Sequence, residues 1–446
     1  MKRKYRGYPE YQGSRVAWMG DVPDHWEPVR FKQVLAEKKK NCNPELSAGS
    51  ISFGNVIYKS SENLLPETKA SYQEVLAGEF LINPLNMNYD LLSLRTALSS
   101  IDVVVSTGYI VLQSNGRLLK RYTRWLLQEF DVAHMKTLGS GVRQTISYAD
   151  IGNSFFFEPS KEEQENIANF LDHETAKIDI LIEKQQQLIK LLKEKRQAVI
   201  SHAVTKGLNP NAPMCDSGVE WLGEVPEHWD VMPVRRVIDK IQQGNSPVAD
   251  NRPPSIEENG VLKISAVKYG HFNEMESKTL ETPIDSRFIV KKRDLLVTRA
   301  NTPKLVADAC YVESEPTRNI MLCDLIYRLN TNYKIDNEYL CQCLLSDKGR
   351  FQIELDARGS SMTMAKVSQE HIKNWVFPVP PVSEQINIIK YIRKRALDLG
   401  VTLSKAEKTI ELLKERRTAL ISAAVTGKID VREWQAPQQP YKEEAA

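Results

Sequence analysis

Two stretches of the chain, residues 163–205 and 384–426, carry apolar residues at alternating steps of four and three. This spacing places one apolar seam along a helix and is typical of helices that pair with another helix. The pattern therefore predicts two long helices, and an amphipathic helix packed on a globular core is the alternative. The residues predicted to pair the helices and to dock partners are Ile167, Leu171, Ile178, Leu181, Leu188, Leu192, Ile388, Ile392, Leu399, Leu413 and Leu420.

The chain also contains an internal duplication. Residues 18–26 read W-M-G-D-V-P-D-H-W, and residues 221–229 read W-L-G-E-V-P-E-H-W. The helical stretches also align without a gap, so that L-L-K-E-K-R-Q-A-V-I-S at residues 191–201 returns as L-L-K-E-R-R-T-A-L-I-S at residues 412–422. Each half therefore holds a Trp-rich segment, a divergent middle and a long helix, and this order favours pairing of the two helices with each other.

The divergent middles are predicted to be mixed domains. Apolar runs at residues 101–105 and 109–112 predict strands, whereas residues 118–130 and 337–345 predict helices. The predicted fold class is α+β, with two tandem mixed α/β domains separated by two long antiparallel coiled-coil helices in a pseudo-twofold repeat. The predicted boundaries are 1–155 and 209–376 for the mixed domains, 156–208 and 377–430 for the helices, and 431–446 for a flexible tail.

Composition excludes several classes of protein. The chain is 41% hydrophobic and 26% charged, which is typical of a globular protein. No run approaches the ~20 apolar residues of a membrane-spanning helix, and the basic N-terminus lacks the apolar run of a secretory signal. The six cysteines are scattered without a C-x-x-C, so we expect reduced thiols in a cytoplasmic protein. Because the net charge is only +3, nucleic-acid binding must depend on local charge.

Local clusters of basic residues indicate that the chain binds a polyanion. Residues 117–124 and 287–304 are rich in lysine and arginine, and the Gly/Ser-containing segments 139–145 and 359–366 occupy corresponding places in the two halves. Lysine and arginine neutralise phosphates, while Arg, Asn and Gln side chains read base edges. A solvated basic face is the alternative. The candidate DNA contacts are Arg121, Arg124, Ser140, Arg143, Gln144, Lys291, Arg299, Asn301, Lys304 and Lys366.

Catalytic motifs are weak in this sequence. The tetrapeptide N-P-L-N at residues 83–86 lacks the second proline and the aromatic residue that an adenine methyltransferase needs, and no Gly-x-x-x-x-Gly-Lys loop is present for ATP. Asp24 with Glu37 and Lys39 fits a short metal-nuclease pattern. The repeat copy does not preserve it. A stand-alone Mg²⁺-dependent endonuclease and a coiled-coil scaffold without a nucleic-acid role are the alternative functions.

The Trp-rich segments, the P-V-P-P-V-S-E-Q at residues 378–385 and the L-L-K-E-K-R-Q-A-V-I-S helix ends together resemble the specificity subunit of a type I restriction–modification system. The resemblance covers nearly the whole chain and depends above all on the repeated order of these parts. The first half departs from the pattern, because F-F-F-E-P-S-K-E-E-Q at residues 155–164 lacks the double proline.

This resemblance implies a non-catalytic chain with two DNA target-recognition domains, each reading one half of a bipartite, asymmetric double-stranded DNA site. The long helices are implied to space the half-sites and to dock two adenine-N6 methyltransferase subunits, which the motor-nuclease (restriction) subunits then join. No cofactor or metal is expected on this chain. S-adenosylmethionine, ATP and Mg²⁺ are expected only on the partner subunits.

Overall fold

The structure is a computed structural model that describes residues 5–52, 54–60, 64–85, 94–138, 145–357 and 365–436. The chain forms two compact units. The first unit comprises Met1–Gln185 with Lys408–Ala446, and the second comprises Gln186–Glu407. Because each boundary falls inside a long helix, each unit contains the beginning of one helix and the end of the other. The predicted domain boundaries stay predictions.

The strands and helices of the first unit, with the helix that leaves it, are β1 (Tyr11–Gly13), β2 (Asp21–Pro23), β3 (Glu27–Arg30), β4 (Leu35–Glu37), β5 (Gly49–Ser52), β6 (Asn55–Tyr58), α1 (Pro66–Ala70), β7 (Gln73–Val75), β8 (Phe80–Ile82), β9 (Thr96–Leu98), β10 (Val103–Val105), β11 (Ile110–Ser114), α2 (Lys120–Ala133), α3 (Tyr148–Asn153), β12 (Phe155–Glu158) and α4 (Lys161–Lys206). A six-stranded sheet in the order β4-β11-β8-β9-β6-β5 is its centre. All neighbours in this sheet are antiparallel except β6 and β9.

The strands and helices that follow are β13 (Met214–Asp216), β14 (Glu224–Pro226), β15 (Asp230–Pro233), β16 (Ile238–Gln243), β17 (Ala249–Asp250), β18 (Asn259–Leu262), β19 (Val267–Lys268), β20 (His271–Phe272), β21 (Ser277–Leu280), β22 (Leu295–Thr298), β23 (Ala300–Asn301), β24 (Ala309–Tyr311), β25 (Asn319–Met321), β26 (Ile326–Thr331), α5 (Asn337–Leu345), α6 (Asp347–Asp356), β27 (Ala365–Lys366), α7 (Gln369–Asn374), β28 (Val376–Val379) and α8 (Val382–Val425). The second unit contains two four-stranded sheets, β16-β26-β22-β24 and β17-β21-β18-β25. The predicted mixed α+β class and the predicted helix at residues 337–345 are confirmed.

Each unit has its own hydrophobic core. In the first unit, Tyr122 and Trp125 of α2 pack with Phe31 and with Ile167 and Leu171 of α4. In the second unit, Tyr339 of α5 belongs to a separate cluster that includes the end of α4 and the start of α8. Among the described residues, no core cluster has members in both units. The burial of these apolar faces therefore stabilises each unit internally.

The duplicated Trp-rich segment has the same structural role in both units. The His25 Nε2 atom lies 2.8 Å from a Glu163 carboxylate oxygen at the start of α4, and the Trp26 indole N–H donates to the same oxygen at 3.4 Å. We call this the first His–Trp–Glu cluster. In the second His–Trp–Glu cluster, His228 lies 2.8 Å and Trp229 3.1 Å from one Glu384 oxygen at the start of α8. Each histidine thus links its Trp-rich segment to the start of a long helix.

The end of the other long helix packs on each of these clusters. Gly207 follows α4 with a positive φ of 74°, and a Cβ atom there would lie 3.1 Å from the Trp229 ring. Gly427 follows α8 with a φ of 73° and packs in the same way on Trp26. Glycine adopts this left-handed conformation without a steric penalty and also permits the close approach. The repeat is therefore visible in the contacts as well as in the sequence.

The long helices run antiparallel where they meet inside each unit. In the first unit, Asp179 near the middle of α4 accepts a hydrogen bond from Arg417 of α8 at 2.9 Å, and Asn166 near the start of α4 donates to the carbonyl of Arg432, beyond the end of α8. In the second unit, Ile200 at the end of α4 shares a core with Ile388 at the start of α8. The predicted antiparallel pairing is confirmed in both units.

The seam of the helix pair differs in detail from the predicted one. Leu181 and Leu188 are 47% and 37% exposed, while the adjacent Ile182 and Ile189 are half-buried. At these turns the seam runs through the two isoleucines, and a docking role for the two leucines stays a prediction. Of the other predicted seam residues, the buried ones are Ile167, Leu171, Ile178, Ile388, Ile392 and Leu420, and the half-buried ones are Leu192, Leu399 and Leu413.

Candidate nucleic-acid interface

One edge of the second unit brings four predicted DNA contacts together. The short strand β23 pairs with β27, so that Asn301 lies opposite Ala365 and Lys366 lies opposite Ala300. The carbonyl of Arg299 accepts a hydrogen bond from the backbone N–H of Val367 at 2.9 Å. Lys304 follows β23 in the next loop, and its side chain is exposed like that of Lys366. We call Arg299, Asn301, Lys304 and Lys366 the basic edge.

Three hydrogen bonds hold the backbone of the loop that carries Lys304. The Arg350 guanidinium donates to the carbonyls of Val306 at 2.8 Å and Lys304 at 3.2 Å, and the Thr298 hydroxyl donates to the carbonyl of Leu305 at 3.2 Å. Burial lowers the pKa of Arg350, and the nearby Asp308 carboxylate opposes that effect. The lysine is therefore presented to solvent on a fixed backbone, which reduces the entropy that is lost when it contacts a phosphate.

Lys291 does not join this edge. It precedes β22, whereas Arg299 follows the same strand, so the two residues lie at opposite ends of it. The backbone N–H of Lys291 donates to the Asp294 carboxylate at 2.8 Å, and Asp294 also pairs with Arg328 at 2.9 Å. A DNA contact by Lys291 stays a prediction.

The two predicted arginines of α2 face the helix pair. Arg121 donates through Nε to the Asp172 carboxylate at 2.8 Å and through Nη1 to the Asn169 amide oxygen at 3.0 Å, and both partners belong to α4. The Arg124 guanidinium lies 5.0 Å from the centroid of the Trp125 ring, and burial lowers its pKa. The Arg121 side chain thus connects α2 to α4 through hydrogen bonds. The predicted DNA contacts of these two arginines stay predictions.

The first unit has an edge that corresponds to the basic edge. Ile146 donates from its backbone N–H to the carbonyl of Pro84, which follows β8, at 3.2 Å. Arg95 is held between Leu85, whose carbonyl accepts from its guanidinium, and Asp131, whose carboxylate accepts from its backbone N–H at 2.6 Å. Burial raises the pKa of Asp131 to about 6. The predicted contacts Ser140, Arg143 and Gln144 lie outside the described residues, immediately before this edge.

No sequence pattern indicated that Arg350 and Asp308 shape the basic edge. They contact backbone groups that are about 40 residues away in the sequence, and neither belongs to a local motif. A β-hairpin beside the same loop was also missed, and its only sequence signal is the K-Y-G-H turn at residues 268–271.

The described residues hold neither a metal-ligand cluster nor a membrane-spanning helix. None of them forms a cluster of three His, Cys, Asp or Glu side chains that could hold a metal ion. Lys38 lies between Glu37 and Lys39 of the metal-nuclease pattern. Its ammonium group forms ion pairs with Glu74 at 3.2 Å and with Glu79 at 2.8 Å. No helix within the described ranges is long and apolar enough to cross a membrane. No finding favours the endonuclease or scaffold alternatives.

Comparison with known proteins agrees with the resemblance seen in the sequence. No family model matches the chain. It is 27% identical over 214 residues to the EcoEI type I restriction enzyme specificity subunit of Escherichia coli, which is 47% of this chain and 36% of that protein. It is also 22% identical over 287 residues to the EcoKI specificity subunit of Escherichia coli K12, which is 62% of this chain and 58% of that protein.

The matched part of this chain spans less than two thirds of the length of these curated relatives. A solved chain from work on complex assembly and conformational transition of the type I R-M system matches with a TM-score of 0.65 and 15% identity. That match covers 91% of this chain and 98% of the solved chain. This chain therefore resembles type I specificity subunits in sequence and shares the fold of the solved chain.

Proposed function

We propose that this chain is the sequence-specific DNA-binding specificity subunit of a type I restriction–modification complex. It recognises a bipartite, asymmetric site, has no catalytic activity of its own and acts in the cytoplasm. The observation that carries the proposal is the duplication: two units with the same His–Trp–Glu cluster present different surfaces at the same edge of the fold. Two related modules with different reading surfaces match one DNA site with two unlike halves.

The basic edge supplies the chemistry for one half-site. Lys304 and Lys366 offer exposed ammonium groups for phosphates, while Arg299 and Asn301 carry side chains that form bidentate hydrogen bonds with guanine and adenine. The described residues of the first unit include Arg95 and Asp131 as supports for the corresponding edge, and its candidate readers are Ser140, Arg143 and Gln144.

The long helices provide the surface for the partner subunits. Exposed apolar side chains occur on α4 and on α8, and apolar residues exposed at this density on charged helices are typical of protein-binding surfaces. They are Ile180, Leu181, Leu188, Leu191, Val382, Ile386, Leu397, Val401 and Leu412. We assign them to two methyltransferase subunits, with the restriction subunits joining that assembly. S-adenosylmethionine, ATP and Mg²⁺ then bind to those subunits.

We expect neutral replacements in the basic edge to weaken DNA binding without unfolding the chain. Arg299→Ala removes a candidate base contact and costs about 1–3 kcal/mol of binding free energy, whereas Lys304→Gln removes a phosphate contact and lowers the salt slope of log K by about one. Binding of the full complex to duplexes enriched from a random-sequence library, measured over a range of salt concentrations, checks both effects.

Lys334→Gln is the matched control for the lysine variant, because Lys334 is an exposed lysine of the same unit in the turn beside α8. If the control and both test variants bind the enriched duplex equally well, the basic edge does not contact DNA. Wild-type complex that enriches no sequence at all would instead refute the proposed function.

A further inference from the structure

A small β-hairpin beside the basic edge carries an exposed aromatic side chain. Strands β19 and β20 pair antiparallel, with Val267 opposite Phe272 and Lys268 opposite His271, and Tyr269 and Gly270 form the turn. Tyr269 is 62% exposed. The flanking Lys268 and His271 are exposed as well. The hairpin therefore projects one aromatic ring and two basic side chains into solvent.

The tyrosine occupies a backbone position that suits other residues better. Tyr269 has a φ of 50° and Gly270 a φ of 81°. Two-residue hairpin turns with positive φ at both positions strongly favour Asn, Asp or Gly at the first position, because glycine lacks the Cβ atom that crowds the backbone there and Asn and Asp offset that crowding with local hydrogen bonds. Since the exposed ring adds little to the core, packing does not explain why a tyrosine is present. Residues held in such conformations cluster at functional sites.

The support of this turn is shared with the basic edge. The backbone N–H of Tyr269 donates to the Asp308 carboxylate at 2.7 Å, and the N–H of Gly270 donates to the carbonyl of Ala309 at 3.1 Å. Asp308 is 4% exposed and ends the loop that carries Lys304. Its own carbonyl accepts from the N–H of Thr298, the last residue of β22 before Arg299. One buried aspartate thus fixes the hairpin against the loop of the basic edge.

The side chains of the turn have the chemistry of a nucleic-acid contact. The Lys268 ammonium lies 5.6 Å from the centroid of the Tyr269 ring, so positive charge and an aromatic face are presented together. The carboxylate that contacts the turn, Asp308, is buried and accepts from the turn backbone. Elsewhere around the hairpin, Glu274 is bound by Thr317 and Arg318, and Glu276 by Ser265. Of these three carboxylates, Glu274 is paired with a cation, the Arg318 guanidinium, at 3.2 Å, whereas Asp308 and Glu276 accept hydrogen bonds from neutral donors.

We propose that the Tyr269 hairpin is a second DNA-reading element of this unit, and this rests on the proposed function. A two-stranded ribbon fits the major groove of DNA. The hairpin enters the groove beside the bases that the basic edge contacts, the Tyr269 ring packs on a base edge or a thymine methyl group, and Lys268 binds a neighbouring phosphate. Tyr269 is then a specificity-determining residue for one half of the site.

Tyr269→Asn separates this role from folding. Asparagine is favoured at a positive φ, so the variant is expected to unfold at the same or a higher temperature than the wild type. Loss of the aromatic contact lowers affinity for the enriched duplex about tenfold. Lys268→Gln, a second variant that leaves the turn intact, reduces the salt slope of log K by about one.

The experiment uses the full chain purified from its host with the subunits that accompany it. The probe is the duplex that the wild-type complex enriches from a random-sequence library. Tyr333→Ala is the matched control, because Tyr333 is an 85% exposed tyrosine of the same unit in the turn after β26. A loss of affinity in Tyr269→Asn and not in Tyr333→Ala supports the proposal.

Unchanged affinity in Tyr269→Asn and an unchanged salt slope in Lys268→Gln overturn the hairpin proposal and leave the proposed function intact. Unchanged affinity together with loss of an accompanying subunit also overturns it, because the hairpin would then bind protein. If the wild-type complex enriches no duplex, both the hairpin proposal and the proposed function fail.

Discussion

Replacing residues 234–374 with the corresponding domain of a type I specificity subunit of known target is expected to change one half of the recognised DNA site completely and to leave the other half unchanged. The exchanged segment lies inside the β15–β28 strand pair, so the second His–Trp–Glu cluster and both long helices are retained. Since the described core clusters of the two units share no residues, the first unit keeps its own packing.

The recognised site of the chimera is read from the methylated motif in host DNA, with the wild-type gene as the reference. A matched control reinserts the native residues 234–374 through the same cloning junctions, which separates effects of the junctions from effects of the domain. A chimera in which both halves of the motif change would contradict the assignment of one half-site to each unit.

Glu163→Gln is expected to destabilise the first unit by about 2 kcal/mol at neutral pH. The Glu163 side chain is 5% exposed and accepts hydrogen bonds from Trp26, from the backbone of Ser160 and from His25. Hydrogen bonds to a charged group contribute about 1.5–3 kcal/mol, and the amide cannot replace the charge. Native-state hydrogen exchange of first-unit amides measures the loss. Glu162→Gln, an exposed neighbour on α4, is the control and is expected to have no effect.

The effect of Glu163→Gln also depends on pH in a defined direction. Burial alone would raise the pKa of Glu163, but the hydrogen bonds from His25 and Ser160 lower it below its ordinary value of 4.5. A carboxyl group with a lowered pKa contributes its full stability above its unfolded-state pKa and loses it as the pH falls through the folded-state pKa. The difference between wild type and variant should therefore shrink below pH 4.5. A difference that grows on acidification would contradict this account.

Much of the fold could be predicted because the chain repeats itself. Residues kept in both copies, such as His25 with His228 and Glu163 with Glu384, make the same contacts in both units. Duplication thus marks the residues that maintain the shared scaffold. The helix seam cannot be derived from the pattern alone, since adjacent apolar pairs such as Leu181–Ile182 satisfy two phases of the same repeat. Only the packing of the folded protein determines that Ile182, and not Leu181, lies in the seam.

The reading surface was harder to predict for a physical reason. Arg299 and Lys366 are far apart in the sequence and meet through the β23–β27 pair, which has no strong local pattern. The supports of this surface, Arg350 and Asp308, act on backbone carbonyls and N–H groups that any residue type provides. Basic composition therefore indicated candidates, but tertiary contacts separated Arg121, which binds α4, from the residues of the basic edge.

The most direct test of the proposed function is modification-sensitive long-read sequencing of host DNA with and without this gene. Deletion is expected to remove N6-methyladenine from one split, asymmetric motif, and reintroduction of the gene is expected to restore it. A methylome that keeps every motif after deletion, in a host shown to express the chain together with its methyltransferase, would contradict the proposed function.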